Sequence, residues 1–498
     1  MKASRFVVKN TALLSIGLFS GRLLGFFIYR RLTGLEGAAG TGIWAAAVDI
    51  TSILIVVSNF GLGTLITREI VKARERTADL FWAALKIRLT FGMAAYGLIL
   101  VYVYATGFES LIRGAVLVMA LGVFIESAAM ACDSVLQAHE KVQYQTYSQL
   151  LSAVVYFGLA WLWLDQGHGV MGVLWANVAS RMARLLLIAP LMARTTDNWR
   201  GTGSADVSTR WLMKLALPVF LGTTFGQIAY KIDTVMLIEM LGESATGIYN
   251  AGHRALDLLI MVPALFATAL FPALQRYRET GEKPLEDVAR MASRAMRYLH
   301  LVIFPITVVC VLGAVPLVRL LAKGDEFAPA AGVFRIVILG LVLNAANTVY
   351  NRVLLAMGRE KTFIRLAATV MVVNVGLNLL LIPWLKWNGA AIATLASQIV
   401  SHILHRRYIH FTGIYIPWMR GHLGGSAALL SAWAVSVPLL NAAVPGWDVT
   451  WTHLPQNNWA EFVGALAVTG VIYVGALFAL KVLGREDLQM IRELRNGG

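Results

Sequence analysis

The chain has 498 residues, of which 58% are hydrophobic and only 14% are charged, and its mean hydropathy is +0.66. Soluble globular proteins carry about 25% charged residues, so this composition excludes a soluble protein and predicts an integral membrane protein. Its two cysteines, Cys132 and Cys310, both fall in apolar stretches, so neither a disulfide framework nor a metal site is predicted.

Apolar windows of about 20 residues recur along the whole chain, and each is long enough to cross ~30 Å of hydrocarbon as an α-helix. The sequence therefore predicts an all-α polytopic membrane protein with about 14 transmembrane helices. Their predicted ranges are 11–32, 41–63, 81–105, 111–137, 143–164, 169–193, 211–238, 246–274, 296–321, 329–356, 362–384, 389–411, 422–444 and 459–483. No catalytic domain is visible outside these spans, so we do not expect an enzyme or catalytic residues.

The formal net charge of +15 is explained by where the basic residues lie. If the N-terminus is cytoplasmic, 30 of the 43 lysines and arginines fall at the cytoplasmic ends of the predicted spans. This asymmetry is the positive-inside rule. It predicts a multi-pass protein of the cell inner membrane with both termini in the cytoplasm, attracted to membrane lipids and not to nucleic acid.

Three pairs of similar strings recur in the same order and indicate an internal duplication. They are TGIWAAAVDITSIL from Thr41 and TGIYNAGHRALDLL from Thr246 (offset 205), LQAHEK ending at Lys141 and LAMGREK ending at Lys361 (offset 220), and GVLWANVAS from Gly172 and GAAIATLAS from Gly389 (offset 217). Because six spans separate the copies, both copies keep the same orientation in the membrane.

The duplication predicts two six-helix lobes related by a parallel repeat, with two further helices at the C-terminus. The N-terminal lobe would comprise residues 1–200, the C-terminal lobe residues 201–415, and the last two spans with a cytoplasmic tail residues 416–498. In transporters built from such repeats, the substrate site lies near the midplane, between the repeats. We therefore expect a central cavity there.

Charged residues inside the predicted spans are candidates for lining this cavity, because a charge near the bilayer centre costs ~2.5–3.5 kcal/mol even on a lenient scale. The string FGQIAYKIDTVMLIEMLG places Lys231 and Asp233 two residues apart, about 200° apart around an ideal helix, so they cannot pair with each other. Arginine side chains suit phosphate oxygens. The candidate substrate-binding residues are Arg22, Asp49, Lys231, Asp233, Asn250, Arg254, Asp257, Arg335 and Arg352.

The eighth predicted span carries a polar stripe on one face. Asn250, His253, Arg254 and Asp257 recur there at spacings of three and four, which places them on the same side of a helix. An alternative interpretation applies to every polar residue in a span, since such residues also hold membrane helices together by hydrogen bonds.

Two further roles stay open at the level of sequence. For Glu126 and Asp133 of the fourth span, cavity lining and helix association carry equal weight. The acidic candidates Asp49, Asp233 and Asp257 could tune the arginines or carry a coupling proton, and the sequence does not choose between these roles.

Two long strings resemble the polysaccharide transporter family of the multidrug/oligosaccharidyl-lipid/polysaccharide flippase superfamily. They are YKIDTVMLIEMLGESATGIYNAGHRALDLLIMVPALFATALFPAL and LLAMGREKTFIRLAATVMVVNVGLNLLLIPWLKWNGAAIATL. GRLLGFFIYRRLTG and DSVLQAHEK are also similar, and together the resemblance covers most of residues 10–411. It implies a Wzx-type flippase, which translocates an undecaprenyl-pyrophosphate-linked oligosaccharide from the cytoplasmic to the periplasmic leaflet by alternating access. In flippases of this type, cationic cavity residues meet the pyrophosphate, and the resemblance implies this role for Arg254, which stands in the matching part of the eighth span.

Two relatives in the superfamily supply alternatives. Lipid II flippases resemble this chain at SGRLLGFF, where Arg22 matches a cavity arginine, but Ile28 stands where they usually carry a second one. A drug/cation antiporter is the other alternative. The resemblance implies no cofactor, and it leaves coupling to H⁺, to Na⁺ or to the membrane potential open. Its implied partners are the lipid-linked oligosaccharide, membrane lipids, a polysaccharide polymerase and glycosyltransferases.

Overall fold

The computed structural model describes residues 2–195, 199, 208–280, 284–416 and 459–479. Helices dominate this part of the chain, and none of the described residues forms a strand. The predicted all-α polytopic fold is thereby confirmed. The predicted thirteenth span and the C-terminal tail lie outside the described residues.

Fourteen α-helices follow one another in chain order across the described ranges. They are α1 (Lys2–Asn59), α2 (Leu62–Lys72), α3 (Thr77–Ala105), α4 (Ser110–Ala138), α5 (Val142–Asp165), α6 (Gly169–Ala193), α7 (Thr209–Leu241), α8 (Glu243–Leu259), α9 (Met261–Thr280), α10 (Pro284–Leu312), α11 (Ala314–Leu321), α12 (Ala330–Ala356), α13 (Glu360–Phe411) and α14 (Trp459–Ala479).

Nine helical stretches in the described part of the chain are long and apolar enough to cross a membrane. The stretch Gly21–Lys72 contains the end of the first predicted span and all of the second, and Glu360–Phe411 contains the eleventh and twelfth. The predicted eighth span is divided between α8 and α9. Helices and predicted spans therefore do not correspond one to one, and the number of about 14 stays a prediction.

The turn inside α1 and the junction of α7 with α8 have the same backbone geometry. Gly37 interrupts α1 at φ 64, ψ −163, and Gly242 ends α7 at φ 81, ψ −168. Four residues later, Thr41 Oγ1 donates to the Gly37 carbonyl at 2.6 Å, and Thr246 Oγ1 donates to the Gly242 carbonyl at 2.8 Å. The offset of 205 found in the sequence therefore describes a repeated three-dimensional turn.

A second repeated turn joins α4 to α5 and α12 to α13. Glu140 has φ 61 and Gly358 has φ 66, and the next residues are Lys141 (φ −98, ψ 41) and Arg359 (φ −99, ψ 43). These pairs are 218 residues apart, whereas the matching string endings gave 220. The offset of 220 is therefore wrong by two residues. It came from aligning identical letters, whereas the residues that correspond in the structure are those with a left-handed backbone, Glu140 and Gly358.

The two hairpins that contain the first repeated turn approach each other closely. A Cβ atom placed on Gly42 would lie 2.8 Å from the carbonyl carbon of Glu243, and one placed on Gly247 would lie 2.8 Å from the carbonyl carbon of Ala38. Carbon atoms in contact normally stay about 3.5–4.0 Å apart. Glycine is therefore the residue that fits at these two positions.

The chain divides into two compact units, one comprising Met1–Ala251, Leu321–Phe327 and Ile364–Ala393, and the other the remaining residues. In the first unit, helices α1 and α3–α6 contribute to a core of buried apolar side chains that includes Leu32 and Met119. The lobes expected at residues 1–200 and 201–415 stay a prediction.

In the second unit, α12 packs against both α9 and α10. Phe334, Ile338 and Leu341 of α12 are 0% exposed. Helix α12 is therefore a central element of this unit.

Candidate functional site

Asp49, which is buried, and Lys231, which is partly buried, form an ion pair that joins α1 to α7. Lys231 Nζ lies 2.9 Å from Asp49 Oδ1, and Thr234 Oγ1 donates to Asp49 Oδ2 at 2.8 Å. One turn away, Gln227 Nε2 donates to Ser52 Oγ at 3.0 Å. Positions 227, 231 and 234 share one face of α7 at spacings of four and three, so this polar face of α7 lies against α1.

Asp233 faces different helices from Lys231, in keeping with their predicted separation around α7. Its carboxylate accepts a hydrogen bond from Tyr249 Oη of α8 at 2.7 Å and one from Asn378 Nδ2 of α13 at 2.6 Å. Asp233 is only 1% exposed. Hydrogen-bond donors offset the cost of burying a carboxylate, so Asp233 ties three helices together.

Asn250 and Arg22 are the other predicted residues of the first unit. Tyr29 Oη of α1 donates to Asn250 Oδ1 of α8 at 3.2 Å, and Tyr29 is itself 2% exposed. Arg22 lies on α1, two turns before Tyr29, and its side chain is exposed. The structure thus holds Asn250 by an interhelical contact.

Arg254 and Asp257 lie in the second unit, in the C-terminal half of α8. Arg254 is partly buried. His253 Nδ1 lies 3.7 Å from Asp257 Oδ1, as expected for residues four apart on one helix face. The predicted polar stripe on this helix is therefore present around His253 and Asp257.

Arg335 and Arg352 lie on the same helix, α12, but in different surroundings. Arg335 is exposed, and its Nε donates to the Val311 carbonyl at 3.4 Å. Arg352 is partly buried, with its guanidinium carbon 5.9 Å from the centre of the Phe271 ring. About 26 Å of helix axis separates the two positions at ~1.5 Å per residue, so a single phosphate cannot contact both.

A buried ion cluster that the candidate set does not contain joins α4 to α6. The two terminal nitrogens of Arg184 bind the carboxylates of Glu126 and Asp133. Arg184 and Asp133 are each 7% exposed. One turn earlier on α6, Arg181 Nε donates to Asn177 Oδ1 at 2.8 Å. Glu126 and Asp133 thus have an interhelical structural role.

The sequence contains a signal for this cluster. Asn177, Arg181 and Arg184 follow one another at spacings of four and three, which is the rule that singled out the stripe on α8. The arginines lie in the sixth predicted span, where full charges are costly. Applying the rule to every span would have singled out Arg181 and Arg184 as a polar stripe, although spacing alone does not say which helix that stripe contacts.

A family model described as "Polysaccharide biosynthesis protein" matches residues 7–278, which is more than half of the chain. The chain belongs to this family. A second model, MatE, matches residues 218–380. The first match contains both partners of the Asp49–Lys231 pair, and the second contains Asp233 together with Asn378, so these contacts lie within the regions that the models describe.

Two curated proteins that resemble this chain are both named as probable flippases, one for lipid II and the other in low-salt glycan biosynthesis. The chain is 26% identical over 363 residues to a probable lipid II flippase MurJ of Rhizobium meliloti (strain 1021), in a match that covers 70% of this chain and 63% of that protein. It is 19% identical over 378 residues to a probable low-salt glycan biosynthesis flippase Agl15 of Haloferax volcanii, covering 75% and 77%. The chain therefore spans less than two thirds of the Rhizobium relative.

Solved structures share the fold. The lipid II flippase MurJ in an inward closed conformation superimposes with a TM-score of 0.73 at 14% identity, over 93% of this chain and 98% of that one. An inward-facing multidrug resistance MATE family transporter gives 0.64 at 17% identity, over 81% and 95%. The shared fold and the nine apolar helical stretches of the described residues make this chain a multi-pass membrane protein.

Proposed function

We propose that this chain is a flippase that moves an undecaprenyl-pyrophosphate-linked oligosaccharide, a polysaccharide repeat unit, from the cytoplasmic to the periplasmic leaflet by alternating access. The observation that carries the proposal is the match of residues 7–278 to the polysaccharide biosynthesis family. Relatives named as probable flippases support it further.

The charges inside the helices fit an anionic head group. Arg22 is exposed on α1 and Arg254 is partly buried on α8, and guanidinium groups bind phosphate oxygens through two parallel hydrogen bonds. An inside-negative membrane potential favours outward movement of an anion by ~2.3 kcal/mol per charge per 100 mV. We therefore propose that Arg22 and Arg254 bind the pyrophosphate. The other candidate residues would make further contacts with the substrate or hold the helices together.

A lipid II flippase is the second candidate, because one curated relative carries that name and Arg22 matches a cavity arginine of that group. Ile28 argues against it. This residue stands where lipid II flippases usually carry a second arginine, and it is 1% exposed among apolar neighbours of the α1 core. A drug/cation antiporter, which shares the fold, ranks third.

The remaining parts of the proposal follow from the chemistry of the substrate. Glycosyltransferases would supply the lipid-linked oligosaccharide at the cytoplasmic face, and a polysaccharide polymerase would consume it at the periplasmic face. The protein would lie in the inner membrane with both termini in the cytoplasm. Transport would be driven by the membrane potential, by H⁺ or by Na⁺, with no cofactor.

Reconstitution in liposomes tests the proposal directly. Undecaprenyl-pyrophosphate-linked oligosaccharide with a fluorescent label on the sugar is placed in both leaflets, and a membrane-impermeant quencher reports which molecules reach the outer leaflet. Without flipping, the quencher reaches only the labelled molecules of the outer leaflet, which are about half of the total. We expect more than this fraction to be quenched only in vesicles that contain the protein. Labelled lipid II and a cationic dye are tested in parallel. Faster movement of lipid II would select the second candidate, and movement of the dye alone would select the third.

A further inference from the structure

An open cavity of about 410 Å³, lined by both polar and apolar side chains, lies in the first unit, among α4, α5, α6 and one residue of α1. Its size falls within the range of small-molecule sites. The residues that line it differ from Arg22 and Arg254, for which we proposed pyrophosphate binding. Its polar wall includes Glu126, Gln149, Ser152, Asn177, Arg181 and Arg184.

The charges around this cavity do not balance among the described residues. Arg184 uses its two terminal nitrogens to bind both Glu126 and Asp133. Those two carboxylates lie near three arginines, because Arg181 on the cavity wall also attracts Glu126, and Arg88, which is 0% exposed and stands behind the wall, attracts Asp133. One positive charge remains in excess, and an uncompensated buried charge is costly. A bound anion would offset that cost.

Several polar atoms on the cavity wall are buried and have no hydrogen-bond partner among the described residues. They are the donors Arg181 Nη1 and Arg184 Nε and the acceptor Gln149 Oε1. Arg184 is only 7% exposed, and all three residues line the cavity. Burying polar atoms without partners is unfavourable, most of all for charged groups. The wall therefore suits a ligand that offers acceptors to the arginines and a donor to Gln149.

We propose that this cavity binds an anionic sugar, with its carboxylate or phosphate on Arg181 and Arg184 and a ring hydroxyl on Gln149. An oxyanion accepts hydrogen bonds from guanidinium nitrogens, and a neutral sugar would leave the excess charge uncompensated. The inference does not depend on the proposed flippase activity, because it concerns binding and not movement.

The test measures ligand-dependent thermal unfolding of the purified protein in detergent at constant ionic strength. Glucuronate and glucose 1-phosphate carry a ring and an anion, glucose carries the ring alone, and inorganic phosphate carries the anion alone. We expect the first two to raise the Tm at millimolar concentration and glucose to leave it unchanged. Inorganic phosphate should need a concentration several-fold higher for the same shift, because it lacks the ring hydroxyl that meets Gln149.

Two variants and one control locate the binding. Arg181→Gln keeps the ion pairs of Arg184 and should weaken glucuronate binding about tenfold, the loss expected for one hydrogen bond to a charged group. Ser152→Leu fills the cavity without removing a charge and should weaken binding to the same extent. It tests the proposal even if Arg181→Gln does not fold. Arg194→Gln, at an exposed position just after α6, should bind as the parent does.

Three results would overturn the binding of an anionic sugar as a whole, and a fourth would overturn the sugar alone. They are equal shifts with glucose and glucuronate, full binding by both Arg181→Gln and Ser152→Leu, and the absence of a shift with either anionic sugar. Inorganic phosphate matching glucose 1-phosphate at equal concentration would overturn the assignment of a sugar.

Discussion

Gly42 and Gly247 stand 205 residues apart, yet each packs against the backbone of the other's hairpin in the same way. Gly42 lies against Glu243, and Gly247 lies against Ala38, and positions 38 and 243 are themselves 205 apart. A reciprocal contact of this kind is what a local two-fold axis produces. The duplicated hairpins therefore meet through equivalent residues.

Alanine at position 42 should destabilise the protein, because its Cβ would meet the Glu243 backbone, which cannot rotate away as a side chain can. Overpacking of this kind costs about 1–3 kcal/mol. We expect Gly42→Ala and Gly247→Ala to lower the Tm of the purified protein by several degrees. Gly97→Ala is the matched control, since nothing lies within 4 Å of a Cβ at that helical position, and it should be neutral or slightly stabilising. An unchanged Tm in both test variants would contradict the close contact of the hairpins.

The Asp49–Lys231 pair should behave as a unit. Removing one partner strands a buried charge, which costs about 3–5 kcal/mol, whereas replacing both removes the problem. We expect Asp49→Asn and Lys231→Met each to reduce the Tm and the amount of protein in the membrane, and the double variant to recover most of the loss. Double-mutant analysis of the Tm values measures the coupling. Strictly additive losses would contradict the coupling of the two residues.

Arg22 and Arg254 should behave as ligands of the substrate. Alanine at either position should leave the amount of protein in the membrane normal while transport of the lipid-linked oligosaccharide in liposomes falls, and the double variant should abolish it. Arg254→Lys should keep part of the activity, because the charge survives while the planar fork is lost. Normal transport by the double alanine variant would refute the binding role of both residues.

The lowered pKa of His139 predicts how the stability of the folded protein changes with pH. His139 follows the last residue of α4, outside the predicted spans, and burial together with Arg74 and Lys141 lowers its pKa. The unfolded chain therefore binds a proton more readily, and stability is lost as pH falls below the ordinary histidine pKa of about 6.5. We expect His139→Gln to lessen the fall in Tm between about pH 7.5 and 5.5. An equal effect from His410→Gln, at an exposed position, would argue against this origin.

The fold class was predictable from sequence because its signals are local. Apolar length and the offset of 205 between Thr41 and Thr246 needed no knowledge of packing, and both correspond to features of the structure. The offset at the second turn was wrong because matching letters do not reveal which residue adopts a left-handed backbone. For such turns, backbone conformation at Glu140 and Gly358 is the better guide.

The candidate site could be predicted only in part, because pairing between distant helices is not a local property. Helical spacing correctly separated the faces of Lys231 and Asp233, but it could not say that Asp49 would meet Lys231 or that Asn378 would meet Asp233. Asp49 and Lys231, both chosen as candidate ligands, thus contact each other. Their part in substrate binding stays a prediction.

The reciprocal glycine contact also sets an order for biogenesis. Its first half is synthesised with α1, and its second half follows 205 residues later, so at the usual ~5–20 residues per second the first hairpin waits roughly 10–40 s for its counterpart. During that interval, the surface around Gly42 is open to lipid or to proteins of the insertion machinery. A chain stalled before α8 should therefore be more sensitive to proteolysis than one stalled just after it.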